Sequence, residues 1–159
     1  MKRPTPQSAD DWFHRAVRYL ARVDRTAAQV ERFLAGKGAS PAYVKQVISR
    51  LSALRYLDDR AYAVRWLETT LARRPMARDR LKTELAAKGL AESLVDATIL
   101  KGLEGMDDDA LAHKALTLKD REGGRLSLQR MVLLLRQRGF GEETIERIIS
   151  DCSGKERPS

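Results

Sequence analysis

Pairs of adjacent carboxylates are the residues of this sequence with the clearest potential for chemistry. Two carboxylates at one site can bind Mg²⁺ or share a proton, whereas an aspartate at the start of a helix accepts hydrogen bonds from free backbone N–H groups. The pairs are Asp10-Asp11, Asp58-Asp59 and Asp107-Asp108. Each pair opens a separate amphipathic segment, so the three do not converge on one site. We therefore interpret them as helix starts.

Other residues with chemical potential are sparse. The histidines His14 and His113 lie in separate segments, and Cys152 is the single cysteine. One cysteine completes neither a zinc site nor an internal disulfide, and no phosphate-binding loop or nucleophile motif occurs. We predict no catalytic residue, no metal and no cofactor, and so not an enzyme. The unpaired cysteine, the absence of an apolar leader and of any ~20-residue apolar run favour a cytoplasmic protein without a membrane segment.

A glycine preceded by a basic residue recurs at a regular interval. Gly38, Gly89 and Gly139 are 51 and 50 residues apart. The apolar residues four positions before them are Leu34, Leu85 and Leu135. Apolar residues at helical spacing precede and follow each glycine, which is typical of a buried stripe on each of two helices. Glycine after a helix adopts left-handed backbone without steric cost, so each segment predicts two helices joined by a short turn.

The aspartate pairs recur as well, at intervals of 48 and 49 residues, and each precedes one more amphipathic segment. We therefore predict an all-α fold of three tandem three-helix repeats over 9–56, 57–105 and 106–152, with frayed ends at 1–8 and 153–159. Because a single three-helix unit buries little surface, the units should support one another in an elongated array.

The residues around the second aspartate pair also predict how its helix begins. If Asp58 is the N-cap, Leu57 and Tyr62 occupy the positions of a hydrophobic staple. Met106, Asp107 and Leu111 repeat this arrangement. The pattern supports helix capping as the role of the carboxylates.

The formal net charge is +8, and residues 1–57 carry eleven Lys/Arg against four Asp/Glu. A basic surface favours a polyanionic partner such as nucleic acid, or an acidic protein surface, although cationic helix faces also simply keep a protein soluble. Three groups of cations are candidates for partner or DNA contact. They are Arg73, Arg74, Arg78, Arg80 and Lys82; Arg130, Arg136 and Arg138; and Arg15, Arg18 and Arg22, supported by Arg25.

One segment also resembles a helix-turn-helix that reads DNA. In FLAGKGASPAYVKQVISRL the second helix would carry Lys45, Gln46 and Arg50. The matching helices of the other units carry carboxylates, which phosphates would repel. A helix-turn-helix DNA-binding protein is therefore the alternative interpretation.

Together the repeats and two stretches resemble the RecX family, regulators of the RecA recombinase. The stretches are RYLDDRAYAVRW and RLKTELAAKGL, and the resemblance covers about residues 10–150. The residues that carry it are Tyr56, Leu57, Asp58, Asp59, Tyr62, Leu85, Lys88 and Gly89.

The resemblance implies an all-helical, curved and non-enzymatic protein that acts in recombination, DNA repair and the SOS response. RecX proteins bind RecA and its nucleoprotein filament, lodge in the filament groove and suppress strand exchange and ATP hydrolysis. We expect the same partners for this chain, with weak, non-specific DNA contact, no membrane association and a monomeric state. The family does not supply a catalytic or ligand-binding set, so the cation groups above follow from charge alone.

Overall fold

The computed structural model of the protein describes Pro6 and residues 8–155, over which the chain forms nine α-helices and no β-strand. The helices are α1 (Ala9–Leu20), α2 (Ala27–Gly36), α3 (Pro41–Ala53), α4 (Asp59–Arg73), α5 (Arg78–Ala86), α6 (Glu92–Leu103), α7 (Asp108–Gly123), α8 (Leu128–Gln137) and α9 (Glu142–Gly154). The all-α prediction is confirmed. Most of the predicted frayed ends lie outside the described residues, but Ser8 caps α1 and α9 extends to Gly154. None of the described helices is long and apolar enough to cross a membrane.

The helices pack in three consecutive groups of three, which we call the first unit (α1–α3), the second unit (α4–α6) and the third unit (α7–α9). Within each unit the first helix lies against the third. The first unit has its own core, which includes Trp12 and Leu34. A second core is continuous through the other two units and includes Leu85 and Leu135. The second and third units therefore share one set of buried side chains.

All three aspartate pairs lie at the start of a helix, as predicted, but the N-cap residue differs in the first unit. Asp58 is the N-cap of α4 and Asp107 is the N-cap of α7, as predicted. In the first unit the N-cap is Ser8, which forms a capping box with Asp11. A serine at that position places the aspartate pair inside the first turn, where Asp10 instead forms an ion pair with Arg50 at 2.7 Å.

The two residues of the predicted hydrophobic staple in the second unit lie in different cores. Leu57 is buried in the core of the first unit, whereas Tyr62 is buried in the core shared by the second and third units. The chain therefore passes from one core to the other across the N-terminus of α4. In the third unit Met106 packs against the same core as Leu111, as the pattern predicted.

The second aspartate of the second and third pairs connects its unit to the preceding one. The Oδ1 atom of Asp59 accepts a hydrogen bond of 2.9 Å from the backbone N–H of Ala27, the first residue of α2. The Oδ1 atom of Asp108 accepts the matching bond of 2.9 Å from Arg78, the first residue of α5. The first aspartate thus caps its own helix, and the second caps the middle helix of the preceding unit.

Replacing Asp59 with alanine should lower the free energy of unfolding by about 1–2 kcal/mol, because the N-terminal N–H of α2 loses its acceptor. The amide of Ala27 should also exchange its hydrogen faster. Urea denaturation and hydrogen exchange measure the two effects. Asp59→Asn keeps an acceptor oxygen and should lose less. Equal losses in both variants would contradict the role of this hydrogen bond.

A close backbone contact completes the junction between the first and second units. Gly89 has φ +84°, and a Cβ atom at this position would overlap the Cβ of Ala28 in α2. Next to it, the hydroxyl of Thr26 donates a hydrogen bond of 2.6 Å to the carbonyl of Lys88. The glycine is therefore required both for its left-handed backbone and for contact between units.

The junction between the second and third units repeats this geometry. The backbone N–H of Ala77 donates a hydrogen bond of 3.0 Å to the carbonyl of Arg138, the residue before Gly139. A Cβ on Gly139 would lie 3.0 Å from the Cβ of Arg80 in α5. In the first unit, which has no preceding unit among the described residues, a Cβ on Gly38 would meet nothing within 4 Å.

Candidate functional site

The cation group of the second unit is partly neutralised within the fold. Arg80 forms an ion pair with Glu84 at 3.0 Å, and Lys82 forms one with Asp96 at 2.9 Å. The hydrogen bond to Asp96 raises the pKa of Lys82. The backbone N–H of Arg78 is held by Asp108, and its side chain is half-buried. The five cations of this group therefore differ in how available they are for contact with a partner.

Arg73 and Arg74 are the exposed cations of this group that are not in an ion pair. They lie at the C-terminal end of α4, where positive charge also suits the helix dipole. Neither forms an ion pair with a described carboxylate. Of the five cations in this group, two arginines are therefore available for partner contact.

The candidates of the third unit also have different environments. Arg136 donates hydrogen bonds of 2.8 Å and 3.1 Å to both carboxylate oxygens of Glu142, which lowers the pKa of Glu142. Arg138 donates to the carbonyl of Pro75 at 3.0 Å, and burial lowers its pKa. Arg130 is exposed at the start of α8. Arg138 thus stabilises the junction between units, and Arg130 is the one of the three that is exposed and forms no ion pair with a described carboxylate.

The candidates of the first unit lie together around one cavity. Arg15, Arg18 and Arg22 line a cavity of about 250 Å³ between α1 and α2. Three residues that the charge pattern did not indicate complete its lining, namely Tyr19, Phe33 and Lys37. Lys37 follows α2 and was noticeable in the sequence only as the basic residue before a glycine. The structure therefore brings four cations and two aromatic rings to one place.

The two rings and two cations form a stacked column beside this cavity. The rings of Tyr19 and Phe33 are parallel within 5°, with centroids 3.9 Å apart. Arg25 lies 4.8 Å from the centroid of Tyr19, and Lys37 lies 5.9 Å from that of Phe33. Since each ring covers one face of the other, the cations take the outer faces, an arrangement that holds them by cation–π attraction. The Nε atom of Arg25 is buried and has no hydrogen-bond partner within the described structure.

The residues of the helix-turn-helix alternative are only partly free to read DNA. Lys45 and Gln46 are exposed on α3. Arg50 is held by its ion pair with Asp10 and lies 3.8 Å from the centroid of the Phe13 ring. A guanidinium fixed in this way is removed from base recognition, which weakens the alternative.

The residues that carry the family resemblance are mostly structural. Leu85 is fully buried, Lys88 and Gly89 form the first junction, and the aspartates cap helices. Tyr56 differs, because 56% of its surface is exposed. It follows Arg55, which adopts a left-handed backbone with φ 59°.

The histidines and carboxylates form no metal-binding constellation in the described part of the chain. His14 packs edge-on against Phe13, and the Nε2 atom of His113 lies 3.7 Å from a carboxylate oxygen of Asp151. No group of three or more His, Cys, Asp or Glu residues between 8 and 155 is placed to hold an ion.

Comparison with known proteins places the first two units in one family. Residues 13–51 match the family model described as the first three-helix domain of RecX, and residues 58–99 match the model of its second three-helix domain. These matches cover most of α1–α3 and most of α4–α6.

Curated relatives extend the similarity over most of the chain. The chain is 28% identical over 144 residues to regulatory protein RecX of Chlorobaculum tepidum, which covers 89% of this chain and 88% of that protein. It is 30% identical over 136 residues to regulatory protein RecX of Bacillus subtilis, covering 84% and 52%. It is 24% identical over 147 residues to regulatory protein RecX of Geobacillus thermodenitrificans, which covers 89% of this chain and 54% of that protein. The chain thus spans about half the length of the latter two relatives.

Solved structures agree with the fold. The crystal structure of RecX from Lactobacillus salivarius superimposes with a TM-score of 0.67 at 21% identity, over 91% of this chain and 96% of that chain. A crystal structure of regulatory protein RecX superimposes with a TM-score of 0.67 at 23% identity, over 89% of this chain and 73% of that chain. At these identities the likeness concerns the fold alone.

Proposed function

Since the chain belongs to the RecX family, we propose that it binds the RecA recombinase and its nucleoprotein filament and lowers strand exchange and ATP hydrolysis. The protein acts as a cytoplasmic regulator in recombination, DNA repair and the SOS response, and it is not an enzyme. RecA and the DNA within its filament are the partners, the DNA contact being weak and non-specific. The protein binds them as a monomer.

The observation that carries this proposal is the distribution of exposed cations over linked units. Arg18 and Arg22 in the first unit, Arg73 and Arg74 in the second and Arg130 in the third form no ion pair with a described carboxylate. Hydrogen bonds between neighbouring units hold these patches in fixed relation. Several weak contacts along a repetitive filament would reinforce one another through effective concentration.

The direct test is the DNA-dependent ATPase of RecA from the same organism. Substoichiometric amounts of the protein should lower the rate. An unchanged rate at micromolar excess would overturn the proposal. A sequence-selective DNA-binding protein would instead bind certain duplexes strongly and leave the ATPase unaffected.

The contribution of the second unit can be measured in the same assay. Arg73→Glu combined with Arg74→Glu should weaken inhibition by roughly tenfold or more, because reversing a charge both removes an attraction and adds a repulsion. Arg60→Glu combined with Arg121→Glu is the matched control, since both residues are exposed and unpaired among the described residues. Equal inhibition by the two double variants would remove Arg73 and Arg74 from the binding surface.

A further inference from the structure

We propose that the cavity between α1 and α2 binds the backbone phosphates of a nucleic-acid strand and does not read its bases. Its lining includes Arg15, Arg18, Arg22 and Lys37. This inference deepens the proposed function, on which it rests, because it assigns the DNA contact to one site in the first unit.

The first support is uncompensated charge. None of the four cations forms an ion pair with a described carboxylate, whereas Arg50, Arg65, Arg136 and Arg147 on other surfaces all do. Like charges gathered around one small cavity repel one another, and a polyanion relieves that repulsion. The chain therefore keeps this group of cations available while it neutralises others.

The second support is the spacing of the arginines. Arg15, Arg18 and Arg22 follow one another along α1 and the turn after it. Residues three and four positions apart lie on the same side of a helix, so these arginines form a row that can follow consecutive phosphates of one strand. Each guanidinium can bind a phosphate through two parallel hydrogen bonds.

The third support decides between phosphates and bases. Proteins that bind single strands through their bases stack them on exposed aromatic faces. Here Tyr19 and Phe33 stack on each other, and Arg25 and Lys37 lie over the two rings at 4.8 Å and 5.9 Å from their centroids. Each ring therefore has one face on the other ring and a cation over it, so a base could stack there only by displacing a cation. Binding through this cavity should be independent of sequence.

The test compares two fluorescent oligonucleotides of equal length by anisotropy, oligo-dT and an abasic strand with the same number of phosphates. Their dissociation constants should agree within about threefold, because base stacking at ~1–3 kcal/mol per base is not used. Abasic binding weaker by tenfold or more would overturn the proposal in favour of base recognition.

The site itself is tested by Arg18→Gln, Arg22→Gln and Lys37→Gln in one variant. Affinity for oligo-dT should fall by roughly tenfold or more, and the slope of log K against log salt should decrease by about 2, as expected for three lost phosphate contacts on a single strand. The matched control removes three exposed cations elsewhere, with Arg60→Gln, Lys101→Gln and Arg121→Gln. An equal loss of oligo-dT affinity in this control would show an effect of net charge alone and would contradict the assignment of the site.

Two further measurements distinguish a nucleic-acid strand from an acidic protein partner, and the phosphate site from the proposed inhibition of RecA. A poly-glutamate peptide that displaces oligo-dT at equal charge concentration would make an acidic protein segment the partner and overturn the proposal.

RecA ATPase inhibition is measured with the unaltered protein and with the first-unit variant. Oligo-dT binding without any ATPase inhibition by the unaltered protein would remove the proposed function but keep the phosphate site. A variant that keeps its oligo-dT affinity would remove the site but keep the proposed function.

Discussion

Gly89→Ala is expected to lower the free energy of unfolding by about 2–5 kcal/mol, because the new methyl group adds both backbone strain and a steric overlap. A non-glycine residue at positive φ costs ~1–2 kcal/mol, and overfilling a packed contact costs ~1–3 kcal/mol. Gly89 has φ +84°, and its Cβ would overlap that of Ala28 in the first unit. Urea denaturation followed by circular dichroism measures the loss.

Gly105→Ala is the matched control for this prediction. Gly105 has φ +81° but a Cβ there would meet nothing within 4 Å, so only the backbone term applies. Adding Ala28→Gly to Gly89→Ala should restore part of the lost stability, because it removes the overlapping methyl group. Equal losses for Gly89→Ala and Gly105→Ala would show that the contact between units contributes nothing.

The same variant has a consequence for function. If the first unit can no longer dock on the second, its cations lose their fixed position relative to those of the other units. RecA inhibition should then fall more steeply than the affinity for oligo-dT, since the phosphate site lies within the first unit alone.

Leu85→Ala is expected to lower the free energy of unfolding by about 2–5 kcal/mol, the range for removing a fully buried leucine side chain. Leu85 is 0% exposed in the core that the second and third units share. Because that core is continuous, both units should lose stability together, which appears as one shifted transition. Denaturant unfolding measures the shift.

Leu100→Ala makes the same chemical change on the surface of the second unit. Leu100 is 68% exposed, so the change in stability should stay within about 0.5 kcal/mol. A loss at Leu100 as large as that at Leu85 would contradict the assignment of the core. Separate transitions for α4–α6 and α7–α9 in Leu85→Ala would show that the shared core does not couple these units.

The sequence alone determined the helical class, the repeat and the buried leucines. Leu34, Leu85 and Leu135 are all 0% exposed, as their equal distance from the repeated glycines predicted. Asp58 and Asp107 cap helices as predicted. These features depend on residues within a few positions of one another, where helical periodicity and backbone geometry leave few alternatives.

Only the tertiary structure decided what the second aspartates and the basic residues do. Asp59 contacts Ala27, which is 32 residues away, and Arg138 contacts Pro75, which is 63 residues away. The charge pattern made all five cations of the second unit candidates for partner contact, but Lys82 is paired with Asp96 on a neighbouring helix. The aromatic pair beside the cations of the first unit likewise joins Tyr19 of α1 to Phe33 of α2. A sequence shows which charges and rings exist, but their availability depends on which helix faces meet, and the packing of distant apolar stripes decides that.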